Sequence, residues 1–151
     1  MATVFDLSRI WIIGLIHGGA NTMKTFKILV VDDDDNITIA IQERLESEGY
    51  EVRRANGSEE GYLTSLCFRP DLIVTDITMG RENGLELMEH IRKDEPNVRT
   101  IYMSADLSRY QPELEKERKT HQASCLEKPF AGPDLMRLVY DHERGCGRRA
   151  A

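Results

Sequence analysis

The chain has 151 residues and carries 26 acidic against 20 basic side chains, a formal net charge of -6. That length leaves room for one domain with a sizeable core, and that charge gives no general attraction to nucleic acid or anionic lipid. The three cysteines (Cys67, Cys125, Cys146) are odd in number and include no Cys-x-x-Cys pair. This argues against a disulfide framework or a zinc site and for a reducing, cytoplasmic setting.

The first 22 residues differ in character from the rest of the chain. "IWIIGLI" (10–16) is far shorter than the ~20 apolar residues that span a bilayer. Gly18 and Ala20 would suit a signal-peptide cleavage point, but Asp6 precedes the run and Arg9 alone supplies positive charge. Residues 1–22 therefore read as a flexible extension or an over-long translation start, with the domain beginning at Met23.

From Lys27 the pattern alternates between strand and helix. Ile28 to Val31 is a short β-branched run, too apolar to have a wet face. Ile37, Ile41 and Leu45 repeat at helical spacing from Asn36 to Gly49, a glycine suited to a helix C′ position. "YEVRRA" (50–55) predicts an edge-like strand; Asn56-Gly57 marks a turn, and Ser58 is placed to cap a helix through about Phe68. After Pro70 comes a third strand, Asp71 to Asp76, and then an amphipathic helix over 84–94. "TIYMSA" (100–105) is strand four, 111–121 a polar helix, "SCLEKPF" (124–130) strand five with its exit, and Pro133 to about Glu143 the last helix. Such alternation predicts an α/β fold, a doubly wound five-stranded parallel sheet covered on both faces, with its site at the carboxyl ends of the strands.

Asp32, Asp33, Asp76, Ser104 and Lys128 all fall at or just beyond such an end. Clustered carboxylates repel one another and resist ionising without a cation. A hard divalent ion such as Mg²⁺, which prefers oxygen ligands, is the economical partner. Lys128 adds a second positive group and Ser104 a hydroxyl donor; together they could orient a transferring phosphoryl group, leaving one carboxylate as nucleophile to form an acyl phosphate. Asp34 and Asp35 lie in the loop before the first helix and read as capping or solvated groups.

The four pieces "ILVVDDDDN", "PDLIVTDITMGRENGLEL", "IYMSAD" and "EKPF" make the chain from Met23 to about Glu143 resemble a receiver domain of a two-component response regulator, of the chemotaxis type that stands alone. The resemblance implies a flavodoxin-like (βα)5 fold and assigns Asp76 as phosphoacceptor. It also implies that Asp33 ligates Mg²⁺ directly, that Asp32 acts largely through water, and that Asp76 and the backbone carbonyl of Thr78 complete the metal site. Ser104 and Lys128 would bind the phosphoryl group and act as the switch, Thr78 and Asp106 would flank the hydrolytic water, and the Lys128–Pro129 bond would be cis. The implied organisation is an extension (1–22), a receiver (23–143) and a disordered tail (144–151).

The resemblance further implies a phosphoprotein of a phosphorelay, not a metabolic enzyme. It would be phosphorylated by a sensor histidine kinase or phosphotransfer protein and act on a downstream protein through protein contacts, with no nucleic acid or membrane partner. Three departures stand out. Gly80 replaces a usual proline, which suggests a more mobile loop; Cys125 replaces the usual aromatic switch residue; and 107–123 is long and polar, which suggests an altered fourth helix. Cys125 reads as a packed small side chain, and His17, His90, His121 and His142 as surface groups without ligand spacing. Two other readings remain open: a receiver-like adaptor that works without phosphorylation, and a Mg²⁺-dependent phosphohydrolase using Asp32 and Asp34, for which Asn36 is the wrong third residue. Neither a Gly-x-Gly-x-x-Gly nor a Walker A loop is present.

Overall fold

The five expected strand segments become five parallel strands in a computed structural model that describes residues 25–150. They are β1 (Lys27–Val31), β2 (Glu51–Ala55), β3 (Leu72–Asp76), β4 (Arg99–Ser104) and β5 (Ala123–Glu127), in the spatial order β2-β1-β3-β4-β5. Between them run α1 (Asp35–Ser47), α2 (Ser58–Phe68), α3 (Gly84–Asp94) and α4 (Gln111–Thr120), and α5 (Gly132–Ala150) comes after β5. This is the doubly wound, flavodoxin-like order, which reverses direction between β1 and β3 and opens a crevice at their carboxyl ends.

Alternation along the strands divides the core. Ile28, Val30, Leu72, Val74, Ile101 and Met103 face α1 and α5, where they meet Ile41, Leu45, Leu135 and Val139. Leu29, Val31, Ile73 and Tyr102 face the other way, onto Phe68, Leu87, Met88, Ile91 and Leu114 of α2, α3 and α4. Because both faces are covered, β3 and β4 are buried along their whole length, so their centres (Leu72 to Val74, Ile101 to Met103) read as apolar runs rather than as alternation.

Most element boundaries fall within about two residues of those expected from the sequence. Gly49 sits just past α1 with φ +94, the left-handed conformation expected there. Four expectations change. Ser58 is not a side-chain cap: the N-cap of α2 is Gly57, and the Ser58 N–H is instead satisfied by Glu82 Oε2 at 2.7 Å. Gly80 takes φ +60 at the tip of a two-residue turn that pairs Thr78–Met79 with Glu82–Asn83, so the glycine builds a hairpin in the loop expected to be loose. The polar 107–123 segment, where an altered fourth helix was expected, opens with a 3-10 turn, Leu107–Tyr110, ahead of α4 and is not among these changes.

The other two changes concern the carboxyl-terminal helix. It continues to Ala150, where a disordered tail from 144 was expected. Buried Arg99 supplies a reason, since its guanidinium needs acceptors and finds Gln122 Oε1 at 2.9 Å and, on this last stretch of helix, Cys146 Sγ at 3.1 Å. His142, expected at the surface, is only 6% exposed and lies 2.9 Å by Nε2 from Ser124 Oγ. Residues 1–22 lie outside the described residues, and with them the extension and His17.

Candidate functional site

β1 ends where its apolar run ends, and the next two residues carry acids to the sheet edge. Asp32 is 1% exposed; its backbone N–H donates to the Ala55 carbonyl at 3.2 Å, continuing the ladder with β2. Its Oδ1 accepts from the Asp34 N–H at 3.0 Å and its Oδ2 from Lys128 Nζ at 2.7 Å. Asp33 is exposed. Asp34 is the N-cap of α1 and accepts from the Asn36 N–H at 3.0 Å, while Asp35 occupies the first turn. The Asp34 carboxylate thus serves the helix end, which removes one of the two acids that a strand-1 phosphohydrolase would need.

Asp76 is the last residue of β3 and is 7% exposed. The chain beyond it is fastened on both sides: the Ile77 N–H donates to the Met103 carbonyl at 2.9 Å and the Gly84 N–H to the Ile77 carbonyl at 2.8 Å. Gly84 must lack a side chain, because a Cβ there would stand 2.1 Å from the Asp76 carbonyl oxygen. Asn83 caps α3 through its Oδ1, 2.7 Å from the Leu85 N–H, and Glu82 reaches across to the start of α2. Asn83, Glu82 and Gly84 escape the sequence reading; only the Asn-Gly pair ahead of an apolar helical pattern signals the cap.

Carboxylate oxygens of Asp32, Asp33 and Asp76 all lie within 4.8 Å of one another. Lys128 Nζ, 2.7 Å from Asp32 Oδ2, is also 3.4 Å from Asp76 Oδ2. The Lys128–Pro129 peptide is cis. The Lys128 N–H donates to the Ser104 carbonyl at 2.9 Å, so β4 and β5 run together up to the amine. Ser104 is 4% exposed and its Oγ accepts from the Asp106 N–H at 3.0 Å. The five residues singled out from the sequence thus converge on one end of the sheet.

Electrostatics favour a cation here. Burial, and then the charge of Asp32, hold the Asp76 carboxyl above its ordinary value despite Lys128. Asp33 is also raised, through loss of solvation and then the neighbouring Asp32 carboxylate. Burial pulls the Lys128 pKa down, but the Asp32 hydrogen bond and the two carboxylates outweigh it and hold the amine above the usual lysine value. Three acids against one amine leave net negative charge in an all-oxygen donor set, which fits a hard divalent ion such as Mg²⁺.

Thr78 and Asp106 are placed at the rim. The Thr78 side chain is exposed and its Oγ1 lies 2.8 Å from the Tyr110 hydroxyl. Asp106 caps the 3-10 turn, accepting from Ser108 Oγ at 2.6 Å and from the Arg109 N–H. The Ser108 hydrogen bond above all holds its carboxyl below the ordinary value. Cys125 is partly buried and packs against the α2–α3–α4 side of the core, level with Tyr102 on β4.

A family model described as "Response regulator receiver domain" matches residues 28–140. The chain belongs to the response regulator receiver family. This receiver is 32% identical over 110 residues to sporulation initiation phosphotransferase F of Bacillus subtilis, matching 72% of this chain and 86% of that protein. It is 36% identical over 122 residues to the DNA-binding transcriptional regulator NtrC of Azospirillum brasilense, where the match takes in 81% of this chain but only 24% of the regulator. The receiver thus spans about a quarter of the length of the NtrC proteins it matches. Among solved structures it resembles the response regulator TrrA of Thermotoga maritima in complex with Mg²⁺-BeF, with a TM-score of 0.67 and 31% identity, covering 77% of this chain and 97% of that one. Among the described residues no helix is long and apolar enough to cross a membrane.

Proposed function

We propose that this receiver is a phosphorylation-controlled switch in which Asp76 takes a phosphoryl group from the phosphohistidine of a sensor histidine kinase or phosphotransfer protein. A carboxylate oxygen of Asp76 bonds to phosphorus while the phosphorus–nitrogen bond breaks, leaving an acyl phosphate on the receiver and a free imidazole on the donor. The observation that carries this reading is the placement of Lys128 Nζ between Asp32 and Asp76, with Asp33 beside them.

Each residue has a part that its surroundings support. Asp32 has one oxygen on the Asp34 N–H and the other on Lys128, so it positions the amine and would act on a metal through water. Exposed Asp33, Asp76 and the Thr78 carbonyl would hold Mg²⁺ directly. When bound, that ion neutralises the acids and the incoming phosphoryl oxygens. Lys128 neutralises a further oxygen. Ser104 receives the Asp106 N–H on its oxygen, which leaves its hydroxyl proton for the phosphoryl group.

Neutralisation of this charge is felt through β4, whose buried Tyr102 donates to Glu117 of α4 at 2.7 Å, and Glu117 in turn meets buried Arg92 of α3 at 2.5 Å. With Cys125 in place of an aromatic switch, that linked pair of helices is the natural readout, and the output is a change in protein contacts rather than turnover of a metabolite. Incubation with acetyl phosphate and Mg²⁺ and then intact mass spectrometry tests the reading. Gain of one phosphoryl group, absent when EDTA is present during the incubation, is expected; no gain by the folded protein would refute it.

A further inference from the structure

Two loops leave the crevice side by side, one carrying the chain away from Asp76 and the other away from Ser104, and a side-chain hydrogen bond joins them. Thr78, two residues beyond Asp76, meets the hydroxyl of Tyr110, six residues beyond Ser104, at 2.8 Å. Each partner is anchored on its own account. Thr78 pairs with Asn83 in the two-residue ladder, and Asn83 caps α3. Tyr110 ends the 3-10 turn that Asp106 caps, and its ring rests on the core cluster that also holds Ile77 and Met79, the neighbours of Thr78. The Arg109 guanidinium lies 5.5 Å from the ring centroid. The hydroxyl pair is thus held by the fold on both sides rather than formed by two free surface groups.

The location matters for loss of the phosphoryl group. Hydrolysis requires a water oxygen to bond to phosphorus from the side opposite the Asp76 oxygen, in line with the bond that breaks. Asp76 then leaves as a carboxylate, inorganic phosphate departs, and the water's proton passes to that phosphate or to solvent. Because Asp76 is buried and its phosphoryl group must point outward, the water arrives from the solvent side, where these two loops face each other. A Thr hydroxyl has one proton and its lone pairs to offer. The Tyr110 bond commits one of them and ties the loops across the approach.

We infer that Tyr110 is a positioning residue that lengthens the life of the phosphorylated state by holding the Thr78 hydroxyl away from the hydrolytic water. This rests on the function proposed above. Tyr110→Phe keeps the ring and removes only the bond; Thr78→Val keeps the shape and removes the hydroxyl. After phosphorylation with acetyl phosphate and Mg²⁺ and removal of the donor, decay is tracked by intact mass in the wild type, both single variants and the double variant.

The expected result is decay about two- to tenfold faster in Tyr110→Phe, the rate equivalent of one neutral hydrogen bond. In the Thr78→Val background the same change has no effect. Unchanged decay in Tyr110→Phe, or an equal acceleration with and without the Thr78 hydroxyl, overturns the inference while leaving the phosphoacceptor reading intact. A folded wild type that gains no phosphoryl group overturns both. Loosening of the loops alone would speed decay in Thr78→Val as much as in Tyr110→Phe, and that result too overturns the inference, which expects Thr78→Val by itself to keep the slow decay.

Discussion

Lys128 Nζ is 2.7 Å from Asp32 Oδ2, a contact between residues 96 positions apart in which the acid is all but inaccessible to solvent. The pair fixes the amine of the last strand's exit over the acids of the first. Removing one member of a buried pair strands the other. Lys128→Met is therefore expected to destabilise the domain by about 3 kcal/mol in urea unfolding without divalent ions. Mg²⁺ should restore more stability to the variant than it adds to the wild type, because it replaces the missing positive charge. Equal gains from Mg²⁺ in both proteins would contradict this.

Asp76 carries the opposite imbalance. Its pKa in the folded state is raised by burial and then by Asp32, so between the unfolded value and that raised value the folded protein holds a proton that the unfolded chain has released. Stability is consequently lost as pH rises through this window and stays lower above it. Asp76→Asn removes the buried charge, so in EDTA at neutral pH it should melt at a higher temperature than the wild type. Below the unfolded carboxyl pKa the advantage should vanish.

Gly84 tests the fastening of the chain beyond Asp76. A methyl group at 2.1 Å from the Asp76 carbonyl oxygen must displace backbone, not a flexible side-chain end. Gly84→Ala should therefore cost about 3 kcal/mol in urea unfolding, the upper part of the range for overpacking. Gly132→Ala, where a Cβ meets nothing within 4 Å, is the control and should be close to neutral.

The central strands and the site acids were legible in the sequence because a strand buried on both faces carries an apolar run, and that run ends abruptly: at Val31 before Asp32, and at Val74 just ahead of Thr75 and Asp76. Gly84, Glu82 and Tyr110 were not legible. Their roles depend on which loops become neighbours, which no local periodicity encodes. His142 differs for a related reason: a histidine on an amphipathic helix looks like a surface group until the edge strand supplies half-buried Ser124 as its partner. Likewise the last turns of α5 are held by Arg99, forty-seven residues from Cys146 in sequence.

His142 gives a pH prediction. Burial, and then the charge of Arg99, push its pKa down to about 4 from the ordinary 6.5. Below pH 6.5 the unfolded chain takes up a proton that the folded protein refuses, so stability contributed by neutral His142 is complete above 6.5 and falls as pH drops toward 4. The ceiling of the effect is roughly 3 kcal/mol. His142→Gln cannot titrate, and its melting temperature should fall less than that of the wild type between these values. Parallel curves would contradict the assignment.

The most direct test of the central claim is where the phosphoryl group resides. After reaction with acetyl phosphate and Mg²⁺, borohydride reduction of an acyl phosphate yields homoserine at the modified aspartate, which peptide sequencing by mass spectrometry locates. Conversion at Asp76 and at no other acid, absent after Asp76→Asn, is the predicted result. Conversion at Asp32 or Asp33 with Asp76 untouched would contradict the account.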